Sequence, residues 1–245
     1  MTDFALFLAA GLVGGAVNAA AGGAKLFVFP MLLASGLPPL AANATGTVAL
    51  WPAQIPAAWA YRRELRAEGW SLARRALPVL AGALLGALAL IVSSEGAFVA
   101  VVPLCLALAV AAIAMGDRLT TVAARVSPAG TALGAALLFL CGVYGGYFGA
   151  GLGFMLLAVL SLSGVADIQR ANGQKNLLAL VINTTAVPPL LASGLVDGMA
   201  ALGVLLGGLA GGWLGAFLVR RLPARPLRYG VAGLGLVLTA SFLLR

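Results

Sequence analysis

Histidine is missing from this chain, charge is scarce and cysteine nearly so: there is no His, two Cys, and 9% charged residues in 245. Without histidine there is no Ser-His triad and no histidine-based zinc site. The seven carboxylates all lie in or beside turns, so no aspartate pair inside an apolar segment supports an intramembrane aspartyl protease. No GxxxxGK[ST] loop is present, so ATP is not the direct driver within this chain. Cys105 and Cys141 are isolated in apolar segments and read as small apolar filler, not as a disulfide or metal site. The pattern points away from an enzyme, and no cofactor is called for.

What is abundant is apolar surface. Hydrophobic residues make up 62% of the chain, against about 45–50% in a soluble domain that carries about 25% charge. Lipid must therefore be the solvent. A span needs about 20 apolar residues, leaving room for roughly eight to ten helices. Long runs of Leu, Ala, Gly and Val indicate helices, because barrel strands would alternate in short segments. No basic stretch precedes the first run, 4–17, which reads as a retained span and not a signal peptide. The net charge of +8 comes from arginines in short loops, where orientation signals belong, so a nucleic-acid partner is not expected.

The apolar runs are 4–21, 24–34, 44–61, 76–92, 97–115, 129–147, 152–162, 177–191, 199–219 and 229–244. Two are short, 24–34 and 152–162, and each follows a glycine-rich break: GG at 22–23 and GGYFGAGLG at 145–153. Each ends in a serine-containing turn, ASGLPP and LSGVAD. ANATGTVAL and ANGQKNLLAL follow, so Gly36 pairs with Gly164 and Asn43 with Asn172. Two copies of one unit are expected, residues 1–120 and 121–245, within one integral membrane domain.

Arginine-rich loops at 62–75, 118–125 and 220–228 should all face the cytoplasm. Eight simple crossings would put the last of them outside. Folding each first segment back at its glycine break puts all three inside, and Asp3, Glu95 and Asp197 outside. The expected fold is all-α: a polytopic helix bundle of two inverted repeats, each with a broken, hairpin-like first helix.

Inside the apolar zone the polar residues are few. A lysine at mid-helix costs about 2.5–3.5 kcal/mol on insertion scales. A broken helix leaves backbone N–H groups that only a protein-lined or watery cavity tolerates. Both oddities are resolved by a bound anion: helix N-termini carry partial positive charge, and lysine adds a full one. The candidate substrate-binding residues are Asn18, Gly22, Gly23, Lys25, Asn43, Thr45, Thr47, Gly149, Gly151, Asn172, Gln174, Lys175 and Asn176, with no metal ligands. Competing readings stand beside this one. Either lysine can snorkel, Asn43 and Asn172 can cap the helices that follow, and the glycines can serve helix packing. Tryptophans suit interface anchors; Pro52 and Pro56 suit a bent helix. Lys25 aligns with Gly153 and Lys175 with Gly46, so each half offers one lysine from a different position.

The run GGAVNAAAGGAKLFVFPMLLASGLPPLAANATGTVALWPAQ, with WAYRREL beyond it, resembles the TauE/SafE family of membrane transporters. The second half, GAGLGFMLLAVLSLSGVADIQRANGQKNLLALVIN, is similar to that family's second repeat. The resemblance covers nearly the whole chain. It implies a carrier of sulfite, sulfonates such as sulfoacetate, or related small anions in a bacterial inner membrane. Where the family often has glycines before a large apolar residue, this chain has Lys25. The implied partners are the anion and the bilayer, with a homodimer as a compatible assembly. A channel-like anion pore and a non-transporting membrane assembly protein are the alternatives.

Overall fold

A computed structural model describes residues 2–21, 23–66, 68–125, 131–165 and 167–219, and Gly233. The run 229–244 and the arginines of 220–228 lie outside the described residues. The described residues are helical, with no strand among them. In order they form α1 (Thr2–Ala21), α2 (Lys25–Ala34), α3 (Pro39–Leu50), α4 (Gln54–Ala60), α5 (Arg62–Arg66) and α6 (Gly69–Val92). Then come α7 (Glu95–Arg125), α8 (Thr131–Tyr147), α9 (Leu152–Leu162), α10 (Ile168–Ala192) and α11 (Gly198–Val219). Three stretches, Gly69–Val92, Glu95–Met115 and Gln169–Ala192, are long and apolar enough to cross a membrane. The chain is a helical membrane bundle.

The glycine breaks fold the chain back. At the second, Gly149 and Gly151 hold φ of 78° and 68°, backbone that costs a residue with a Cβ about 1–2 kcal/mol. α9 then returns along α8. A Cβ on Gly134, near the start of α8, would lie 3.0 Å from Ser163 Oγ beyond the end of α9. One on Gly145 would lie 2.9 Å from Leu152, where α9 begins. α2 returns along α1 in the same way, with Gly14 set against Ala24 and Val28.

Both return helices stop on the same motif. Gly36 (φ 93°) and Gly164 (φ 83°) follow Ser35 and Ser163. The Leu37 N–H donates to the Leu32 carbonyl at 3.2 Å, and the Val165 N–H to that of Leu160 at 3.0 Å. This six-to-one bond across a left-handed glycine is a Schellman stop. The glycine pair aligned in the sequence thus takes one conformation twice.

The hairpins enter from opposite ends. The turn after α2 leads into α3, whose Leu40 N–H donates to Glu95 at 3.2 Å; the Asp197 N–H donates to Thr45 at 3.0 Å. This is the acidic end. The turn after α9 leads into α10, whose Gln174 accepts from Arg75 at 2.8 Å, while Arg170 lies 3.9 Å from Glu68. This is the arginine end.

Each first helix is held by a glycine seam in the other half of the chain. α1 runs parallel to α11, where a Cβ on Gly11 would overlap the Val204 carbonyl and one on Gly207 that of Leu8. α6 runs parallel to α8, where a Cβ on Gly82 would overlap Phe139 and one on Gly146 would overlap Ala83. Lipid offers no hydrophobic drive for helix pairing, so backbone-to-backbone van der Waals contact at small residues four apart supplies it.

Two local expectations fail. The run 44–61 is not one bent helix. α3 ends at Leu50, residues 51–53 form a turn, and α4 starts at Gln54. Pro52 cannot donate to Val48, and its ring crowds that carbonyl, so the helix breaks. Nor do Asn43 and Asn172 cap helices. Pro39 opens α3, its missing N–H costing nothing in the first turn. Asp167 caps α10 by accepting the Arg170 N–H at 2.7 Å.

Candidate functional site

The two hairpin tips meet in the middle of the bundle. Phe148, just past α8, packs edge-on against Phe29 of α2 with ring centroids 5.5 Å apart, and Phe98 of α7 lies 6.4 Å from Phe29. All three are at most 1% exposed. The Tyr144 hydroxyl donates to the Ala150 carbonyl at 2.6 Å and so holds the second tip.

Below this aromatic layer a cavity of about 910 Å³ extends toward the arginine end. Its wall includes both tips, Gly23–Lys25 on one side and Gly149, Gly151 and Gly153 on the other. Neither α2 nor α9 has a side-chain cap; the Leu26, Phe27 and Phe154 N–H groups instead donate to the tip carbonyls of Gly23, Ala24 and Gly151, and the positive ends of both helix dipoles lie at the cavity wall. The fifteen basic residues include only two lysines, and both line this cavity. No acidic residue is among those lining it.

Lys25 is 8% exposed and does not snorkel to an interface. Its Nζ donates to Thr47 Oγ1 at 2.5 Å and stands 5.6 Å from the centre of the Phe148 ring. Thr47 Oγ1 in turn donates to the Asn43 carbonyl at 2.9 Å, so its lone pairs face the lysine. Lys175 is half-buried, and its Nζ donates to Asn172 Oδ1 at 3.2 Å. Its stem runs over Gly153, where a Cβ would lie 3.5 Å from Lys175 Cδ.

Of the sequence candidates, Gly23, Lys25, Thr47, Gly149, Gly151, Asn172, Lys175 and Asn176 come together on this wall. Three others sit elsewhere. Asn43 is fully buried beside the seal and donates to the Tyr147 carbonyl at 2.8 Å. Thr45 binds the Asp197 N–H at the acidic end, and Gln174 binds Arg75 at the arginine end. Asn18 belongs to α1, but its side chain, like Gly22, lies outside the described residues.

Among the wall residues that can donate or accept a side-chain hydrogen bond, Gln54, Asn183 and Trp213 are not in the candidate set read from the sequence. Asn183 Nδ2 donates to Gln54 Oε1 at 3.1 Å, bridging α10 and α4. The spacing of Asn172, Asn176 and Asn183, which puts them on one helix face, was the available signal. A second hollow, of about 920 Å³, opens at the acidic end among Phe4, Phe7, Leu37, Pro38, Val196 and Asp197. It has no basic residue in its wall and is unsuited to an anion.

Comparison with known protein families matches residues 7–242 to the model described as Sulfite exporter TauE/SafE. Comparison with curated proteins and with solved structures returned no match. The family is one of membrane transporters for sulfur anions, not of enzymes. A match over nearly the whole length, on a helical membrane bundle, means that this chain belongs to the TauE/SafE family.

Proposed function

We propose that this protein carries a small sulfur oxyanion, sulfite or an organosulfonate such as sulfoacetate, across a bacterial inner membrane. The arginine end faces the cytoplasm, by the positive-inside rule. The two halves are inverted copies of one unit, and alternating access comes from one half moving against the other. The opposed hairpins and the two exchanged seams support that reading.

One observation carries the substrate class. Both lysines of the chain reach a single cavity where two helix N-termini converge and no acidic residue is present. Two cations in a low-dielectric wall repel each other and are costly to bury; an anion between them offsets both terms. Lys25, Lys175, the tip glycines Gly23, Gly149 and Gly151, and Thr47, Asn172 and Asn176 form the binding set, with Gln54 and Asn183 added. With an interior-negative potential, 100 mV supplies about 2.3 kcal/mol per anionic charge for export, so no mid-membrane carboxylate relay is required. The buried aromatic cluster of Phe29, Phe98 and Phe148, where the hairpin tips meet, favours a carrier over an open pore.

The test is flux from proteoliposomes loaded with sulfite or sulfoacetate. Saturable flux that is accelerated by the same anion on the opposite side supports the carrier. Flux linear in concentration would favour the pore, and absence of flux for every anion tried would favour a purely structural role.

A further inference from the structure

Asn43 stands out because it is polar, fully buried and away from the cavity wall. Its Oδ1 has no hydrogen-bond partner, a state that buried amides rarely keep. Its other groups sit in a continuous chain across the two halves. Lys25 Nζ donates to Thr47 Oγ1 at 2.5 Å, Thr47 Oγ1 to the Asn43 carbonyl at 2.9 Å, and Asn43 Nδ2 to the Tyr147 carbonyl at 2.8 Å. Tyr147 ends α8 and adjoins Phe148, the buried ring under Lys25 that packs against Phe29 of the first hairpin. Lys25 is thus tied twice to the second hairpin tip, by this chain and by the cation–π contact.

We propose that Asn43 is a positioning residue through which the anion controls the seal between the hairpin tips. This rests on the anion-binding reading of the cavity. An anion in the cavity draws the Lys25 ammonium toward itself, off Thr47 and off the Phe148 face. Both ties to the second tip weaken together, and the tips separate only when the site is loaded. An empty carrier stays shut toward the acidic end. Separation also gives Asn43 Oδ1 room to find a donor, which the closed arrangement denies it.

A native reporter is at hand. Cys105 on α7 is buried, and its carbonyl accepts from the Tyr144 hydroxyl that also holds the second tip through Ala150. In a Cys141→Ala background, alkylation of Cys105 by a membrane-impermeant thiol reagent is followed in proteoliposomes, with and without sulfoacetate; thermal shift reports binding separately. The expected result is slow labelling without anion and faster labelling with it. Asn43→Leu and Thr47→Val should label about tenfold faster without anion, the worth of one buried hydrogen bond, and lose the anion response. Thr47→Ser, which keeps the hydroxyl, should restore the wild-type pattern. Thr47→Val changes little in shape, so it serves if Asn43→Leu fails to fold. Unchanged labelling in both variants, or sulfoacetate binding to wild type without altering Cys105, would overturn the proposal. If neither sulfite nor sulfoacetate shifts the wild-type melting temperature, the anion reading fails instead, and with it this one.

Discussion

The two halves supply the same charge to the cavity by opposite routes. In the first, the hairpin tip carries the lysine, Lys25, and the facing helix α3 has Gly46 at the position aligned with Lys175. In the second, the helix α10 carries Lys175, and the hairpin tip has Gly153 at the position aligned with Lys25. The stem of Lys175 passes over Gly153, whereas a Cβ on Gly46 would meet Val28 and Leu32 of α2 and not Lys25. The difference teaches that positions aligned between the halves need not carry the same residue to deliver the same charge: in the second half a small residue at the tip makes room for a long one on the facing helix. The environments differ as well. Lys25 is buried under an aromatic ring with a hydroxyl partner, whereas Lys175 is half-buried beside an amide nearer the arginine end. The more deeply buried cation gains more from a bound anion, because less water competes for it.

The most severe way to break the comparison is to separate the halves. Gly86→Leu would drive a side chain into the Val143 carbonyl across the seam between α6 and α8, at a cost of about 3 kcal/mol. The expected outcome is loss of the monodisperse peak in detergent chromatography. Next is Lys25→Ala. Wild type at 100 times the dissociation constant gains about 2.7 kcal/mol from its ligand, and this variant should lose most of that anion-dependent shift in melting temperature at the same concentration. Lys175→Ala should keep a shift but weaken affinity by about 1.5 kcal/mol, read from the concentration dependence of the same melting curves. Equal losses at the two lysines would mean that their different burial does not matter to the anion. Smaller still is Gly151→Ala, with φ of 68° and Ala109 backbone 3.0 Å from the new Cβ. It should cost about 1 kcal/mol in thermal stability without ligand. Gly153→Ala meets only an ordinary contact with Lys175. It should fall within about 0.5 kcal/mol, while moving Lys175 enough to alter anion affinity slightly in a titration.

Much of this arrangement was legible in the sequence because glycine and lysine inside apolar runs are costly unless used. The breaks at 22–23 and 145–153, the short return helices and the Gly36/Gly164 stops all follow from that logic. Which helices pair was not legible. In lipid an apolar face carries no partner information, and the exchange of α1 with α11 and α6 with α8 depends on three-dimensional fit at glycines spaced four apart. The break at Pro52 was read as a bend because sequence does not reveal whether a neighbouring helix will re-satisfy the freed carbonyl. Thr45 and Gln174 looked like ligands because polarity in an apolar zone is ambiguous between binding and bracing; they brace opposite ends, against Asp197 and Arg75. Asn183 lies far from a helix start, but the α10 face that it shares with Asn172 and Asn176 continues two turns to reach it.

The central claim is that two lysines from two halves serve one anion. Titration calorimetry of the detergent-solubilised protein with sulfoacetate tests it most directly, on wild type, Lys25→Ala, Lys175→Ala and the double variant. Expected are one anion per chain in wild type, weaker binding of that same anion in each single variant, and no measurable binding in the double. Two anions per chain, with each single variant losing one and leaving the other at full affinity, would contradict it.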